Sequence, residues 1–203
     1  RYAYWIGGVF RGDLGDSVRN QLPVLDLILQ KLPVTLELAL MAIGVALVIG
    51  IPAGVVAAVG RGTWWDHLAN LFALWGLSTP NFWLGILLIL LFAVYLHWLP
   101  AASTYVSFFE SPWQAVLNLL LPALTLGIYV SGIFARFLRA SLLGELKADY
   151  VRTARSKGLR ERDVVGRHVM RNALLPFVTI VGLMMANFIG GTVVTESVFT
   201  YPG

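Results

Sequence analysis

Ser78-Thr79-Pro80-Asn81 interrupts an apolar run that carries no charge from Leu71 to Leu96, and it is the first place where this sequence could do chemistry. Proline has no N–H, so one carbonyl of the preceding turn loses its helical partner, and short polar side chains beside the break can line a cavity. Ser78, Thr79 and Asn81 are therefore candidates for lining a pathway. Asn187, the only strongly polar residue of another apolar run, is a fourth. The competing reading is an ordinary kink whose free carbonyl is satisfied by Ser or Thr.

Other reactive constellations are missing from the sequence. Among its 203 residues there is no cysteine, which excludes a disulfide framework, a thiolate metal site and a cysteine nucleophile. His67, His97 and His168 lie far apart, as interfacial histidines would, and they share no metal-ligand spacing. No G-x-S-x-G elbow occurs, and Gly60-Arg61-Gly62 lacks the lysine of a phosphate loop. The chain is thus expected to bind no metal or cofactor of its own. Any ATP it depends on must sit on another polypeptide.

The second concentration of chemistry is charge. Between Arg136 and Arg171 ten bases face four acids, a net +6, while the remaining five bases and seven acids leave −2. Overall, 58% of residues are apolar and 13% charged, about half the charged share of a soluble domain. A basic cluster in so apolar a chain reads as orientation in a bilayer rather than as a nucleic-acid surface.

The elements that must position these residues are membrane helices. A bilayer core of about 30 Å needs about 20 apolar residues, and four segments supply them: Leu38–Val59, Leu71–Leu96, Val116–Ile133 and Ala173–Val194. Pro33 and Glu37 suit the entrance to the first, and Arg136 and Arg139 mark the exit from the third. The loop at 136–172 is expected in the cytoplasm, and residues 1–31 and 99–112 outside. Trp64, Trp65, Trp98, Tyr105 and Trp113 fall near the predicted interfaces. Trp75 and Trp83 flank the Pro80 break instead. Glu37 and Glu196 fall near outer span ends, where a carboxylate reaches water. Gly50 and Gly54, and Gly182, Ala186 and Gly190, form small-residue stripes suited to close helix contact. At least one further span is expected before Arg1, and another after Gly203.

Inside the basic loop the composition reads as two short helices parted at Gly158. Glu145 and Asp149 open the first, and Arg152, Arg155 and Lys157 close it, as the helix dipole favours. Gly158 suits a C′ position with positive φ. Asp163 is a candidate cap for a second helix through Val164, Val165, His168 and Val169. For Arg136, Arg139 and Arg167, contact with lipid phosphate is a competing role.

The run Asp149-Tyr-Val-Arg-Thr-Ala-Arg-Ser-Lys-Gly-Leu159, followed by Arg167-His168 and Arg171-Asn-Ala-Leu-Leu-Pro176, resembles the EAA loop of ABC-importer permeases, specifically the peptide/nickel branch. Gly12-Asp-Leu-Gly15, Leu32-Pro-Val-Thr-Leu-Glu-Leu38 and Gly76-Leu-Ser-Thr-Pro80 are similar to the same branch. Arg152 and Thr153 stand where the general EAA form has Glu-Ala. The resemblance implies an all-α polytopic helix bundle, the transmembrane domain of a type I importer, over residues 32–203. Residues 1–31 would be an extracytoplasmic segment and 140–172 a coupling loop.

It further implies a multi-pass inner-membrane permease for di- or oligopeptides, or for a related solute such as a nickel complex or glutathione. Its partners would be a second permease, two ATPase subunits holding ATP and magnesium, and an extracytoplasmic binding protein, with no nucleic acid. Arg152, Thr153, Ala154, Arg155, Lys157, Gly158 and Leu159 would couple the chain to the ATPase. Thr153 and Ala154 are small enough to let the helix enter a groove, and Gly158 would redirect the chain. The alternative class, an ion-coupled secondary transporter or channel, requires ionisable residues in mid-span. An intramembrane enzyme requires a nucleophile and base at one depth.

Overall fold

The computed structural model describes residues 2–18, 21–101, 106–191 and 193–199, and among these it is helical with a single isolated bridge, Asp16 to Pro23. A short helix, α1 (Tyr2–Val9), leads through a turn into α2 (Val24–Val59), whose 36 residues include Pro33 and Pro52. At 1.5 Å per residue, α2 is about 54 Å long, well beyond the hydrocarbon thickness. The helix therefore does not begin at Pro33 or Glu37 as expected. Its first turns, where Asp26, Gln30 and Lys31 punctuate a run of Val, Leu and Ile, extend the helix ahead of the uncharged segment. Glu37 is half-buried, and Phe108 N–H approaches its Oε1 at 3.5 Å, so the carboxylate is covered by the chain rather than simply solvated.

The second apolar segment is not one straight span. It forms α3 (Trp64–Ser78) and α4 (Asn81–Leu88), the latter continued by a π-helical stretch over Ile89–Tyr95, and the two parts meet at 102°. Thr79 lies in the extended region, the conformation that a following proline favours. Its N–H and its hydroxyl both donate to Trp75 O, at 3.0 and 2.7 Å.

The centre of the molecule is α5 (Pro112–Glu145), 34 residues against which α2, α3, α4 and α8 all pack. It continues well past Ile133, so the helix carries Arg136 and Arg139 and ends six residues beyond Arg139. After α5 come α6 (Asp149–Ser156) and α7 (Glu161–Asp163), a π-helical stretch over Val164–Val169, then α8 (Met170–Gly191) and α9 (Val193–Val198). Three helical stretches, Val24–Val59, Pro112–Glu145 and Glu161–Gly190, are long and apolar enough to cross a membrane. The bent pair makes a fourth if counted as one span.

Missing side chains set the closest contacts. A Cβ on Gly50 would sit 2.8 Å from Phe134 Cβ, and one on Gly54 would sit 2.9 Å from Ala135 O. From the other side, Gly127 admits Val45, whose Cγ1 would be 2.6 Å from an added Cβ. Gly50 and Gly54 thus bring α2 against α5, as small residues in membrane helices do. The stripe on α8 has no such partner among the described residues: Gly182 and Gly190 have no described atom within 4 Å of an added Cβ. Phe134 and Phe177 meet edge to face at 5.2 Å and tie α8 to α5. Trp64, Trp65, Trp98 and Trp113 are exposed, as residues of an interfacial belt would be, whereas Tyr105 and the side chain of Glu196 lie outside the described residues.

Candidate functional site

Two places gather the residues singled out by the sequence. The first is the elbow between α5 and α8. On α6, Val151 and Ala154 turn inward and join a buried cluster with Leu142, Val164 and Val169. Arg152, Thr153, Arg155, Ser156 and Lys157 remain outside. The three-residue spacing of Val151 and Ala154 puts both on one helical face. Ala154 therefore packs within its own chain, and the exposed residues of α6 lie on its other faces.

The turn that ends α6 is a Schellman motif. Gly158 has φ +75°, its N–H donates to Arg155 O at 2.9 Å, and Leu159 N–H donates to Ala154 O at 3.4 Å. Across this turn the guanidinium of Arg155 grips Glu161, with Nε to Oε2 at 3.1 Å and Nη2 to Oε1 at 2.6 Å. The hydrogen bond to Glu161 holds the Arg155 guanidinium above its ordinary pKa, with the nearby carboxylate charge adding to it and desolvation opposing it. Asp163 does not cap the second helix. Arg160 holds the N-cap position, and Glu161 and Asp163, the first and third residues of α7, are both first-turn acids. Glu145 likewise closes α5 rather than opening α6, and its Oε2 accepts a 2.5 Å hydrogen bond from Tyr150. Desolvation first, and that hydrogen bond second, push the Tyr150 phenol above its ordinary pKa, against an opposing hydrogen bond from Asn172.

The outward surface of the elbow is thus basic and locally satisfied. Thr153 Oγ1 donates to Asp149 O and Ser156 Oγ to Arg152 O, each at 3.0 Å, so the hydroxyls are occupied by their own helix. Arg152 and Lys157 project from it, and Leu159 is 42% exposed beside them. This rigid basic knob continues through α7 and the π-helical stretch directly into α8.

The second place is the break in the bent helix. Trp75, Ser78, Thr79, Pro80 and Trp83 line an open cleft of about 470 Å³. Ser78 is exposed there, while the Thr79 hydroxyl is engaged by Trp75 O. Asn81 begins α4, and its Oδ1 is buried with no hydrogen-bond partner among the described residues. Asn187 is exposed on α8, which packs against α2 and α5, and it lines no part of this cleft. Of the four pathway candidates, only Ser78 and Thr79 are brought together in one cleft.

A third cluster escaped the sequence reading. Asp66 in the first turn of α3 is bound by Arg139 of α5 through two 2.8 Å hydrogen bonds. Asn70 supports it at 2.6 Å, and the Gly62 N–H at 3.1 Å. Two of the three guanidinium nitrogens of Arg139 are therefore engaged within the chain. The available signal was the i, i+4 spacing of Asp66 and Asn70 on one face of an apolar helix.

The profile of the binding-protein-dependent transport system inner membrane component family matches residues 50–203. The chain belongs to that family. Its relatives include a putative peptide transport system permease protein of Brucella abortus (strain 2308), 43% identical over 199 residues, covering 98% of this chain and 63% of the relative. A probable D,D-dipeptide transport system permease protein of Escherichia coli (strain K12) is 39% identical over 219 residues, covering 98% and 64%. A glutathione transport system permease protein of Escherichia coli O6:H1 is 41% identical over 203 residues, covering 100% and 63%. The chain thus spans a little under two thirds of these family members. The all-α membrane bundle expected from the sequence is the architecture found.

Proposed function

We propose that the chain is a permease subunit of an ATP-driven importer, forming part of the path for di- or oligopeptides or a related small solute. The observation that carries this reading is the elbow. A short amphipathic helix with an outward basic face is locked by a Schellman turn and an ion pair onto a rod that runs into α8. Such a piece suits transmission of a push. In this reading the basic end of the bundle lies in the cytoplasm, and α6 docks in a groove of an ATPase subunit through Arg152, Thr153, Lys157 and Leu159. Arg155 and Gly158 hold the turn rigid, and Ala154 seats α6 on its own bundle.

ATP and magnesium belong to two ATPase subunits. Their closure displaces α6, and the rod formed by α7 and α8 carries the displacement into the membrane, where the cleft at Ser78 and Thr79 changes its exposure. A second homologous permease completes the bundle, and an extracytoplasmic binding protein delivers the solute. The names of the relatives favour peptides or glutathione as cargo. The test is reconstitution of the complete assembly in proteoliposomes. Uptake of a labelled dipeptide is expected only with ATP, the ATPases and the binding protein together. Uptake by the permease alone, driven by a proton gradient, overturns the proposal.

A further inference from the structure

Asp66 and Arg139 join three parts of the chain at one point. Arg139 lies six residues before the end of α5, about 9 Å along the axis from the elbow. Asp66 is in the first turn of α3, twelve residues before Ser78 and the cleft. The Gly62 N–H that also binds Asp66 belongs to the turn between α2 and α3, where Gly62 has φ +78°. Both carboxylate oxygens are fully used: Oδ1 accepts from Arg139 Nε and Asn70, and Oδ2 from Arg139 Nη2 and Gly62.

The Asp66 side chain is 6% exposed and that of Arg139 26%, so the pair sits largely out of water beside the exposed Trp64 and Trp65. Further along α3 the contact with α5 is close-packed. A Cβ on Gly132 would lie 2.7 Å from Ala73 O, and one on Gly76 would lie 3.1 Å from Ile128 O. Apolar helices packed on small residues can slide or rotate against one another, because such contacts have little direction. A two-pronged guanidinium–carboxylate bond fixes a single register.

We infer that the Asp66–Arg139 pair, with Asn70 and Gly62 as supports, is a positioning clamp that makes α3 move with α5, so that displacement of the elbow reaches the broken helix at Ser78–Pro80. The inference rests on the coupling reading of the elbow. Its consequence is that the clamp sets transport efficiency without touching solute or nucleotide. Losing it leaves the ATPases turning over while the cleft no longer follows.

The experiment measures ATP hydrolysed per solute imported by the complete assembly in proteoliposomes, for wild type, Asp66→Asn, Arg139→Gln and Arg139→Lys. The first two variants are expected to raise the ratio by roughly fivefold or more, the scale on which allosteric coupling operates. Arg139→Lys keeps the charge without the fork and should fall between. Because the chain has no cysteine, Asp66→Cys with Arg139→Cys permits a reducible bis-thiol bridge. Bridging should restore the wild-type ratio, and reduction should abolish it again, which a role in folding alone would not produce. An unchanged ratio in all three single variants, or a raised ratio that bridging does not lower, overturns the clamp. If the wild-type assembly couples normally in either case, the elbow reading stands. Wild-type uptake that needs no ATPase removes that reading instead.

Discussion

Gly158 offers the sharpest test of how the elbow is held. Its φ of +75° is favourable for glycine, and an added Cβ would meet no described atom within 4 Å. A substitution there is therefore opposed by backbone conformation and not by crowding. Alanine in the left-handed region costs about 1–2 kcal/mol, a factor of about 5–30 in the opening equilibrium of the turn. Asparagine, larger than alanine but tolerant of that region, should cost less. Valine, branched at Cβ, should cost more than either. Hydrogen–deuterium exchange across residues 156–164 reads this directly, because the Gly158 and Leu159 amides close the turn. Exchange should accelerate in the order Asn, Ala, Val, and the ATP-to-solute ratio should rise in the same order. A steric cause would place Asn above Ala. That order, or no acceleration in any variant, refutes the argument from φ.

Ala154 is buried against the bundle and Thr153 is exposed, so the two should respond differently to leucine. Ala154→Leu overpacks a site that is 7% exposed, at about 1–3 kcal/mol, and should lower the thermal midpoint of the purified assembly; Thr153→Leu should leave the midpoint unchanged and weaken ATPase binding in a pull-down. Gly127→Ala forces a Cβ to within 2.6 Å of Val45 Cγ1 and should also cost about 1–3 kcal/mol in a thermal melt. Gly144→Ala, with no described atom within 4 Å, should be neutral or slightly stabilising by the same melt. Tyr150 has a raised pKa, so its neutral form is the one favoured on folding. The stability from this shift is complete below the ordinary phenol value of 10.0 and is lost as pH rises through the raised value. In an absorbance titration of wild type minus Tyr150→Phe, that phenolate should appear late. Ionisation at or below the ordinary value contradicts the assignment.

Local signals in the sequence were reliable where one residue decides the backbone. Pro80 marks the break because it withholds an N–H, and Gly158 marks the turn because a positive φ favours it. Periodicity could not predict the 102° bend, beyond which α4 seats against α5 and α9, or the two π-helical stretches. Hydropathy located the spans but not the helix ends. The extension from Val24 through Pro33 carries Asp26, Gln30 and Lys31 among its apolar residues, and α5 carries two arginines without breaking. The inward turn of Ala154 was legible in principle from Val151, three residues earlier, but an alanine fits a partner's groove as well as its own core. Asp66 and Arg139 are 73 positions apart, and only the antiparallel packing of α3 on α5 brings them together.

The most direct test of the central claim places a photo-crosslinking side chain at single positions of α6 and its turn in the assembled importer. Positions 152, 157 and 159 face outward, while 151 and 154 face the bundle. The outward positions should capture the ATPase subunit, with yields that change between ATP-bound and nucleotide-free states, and the inward positions should capture only this chain. Failure of every outward position to capture an ATPase, in membranes that still import solute, would contradict the role assigned to the elbow.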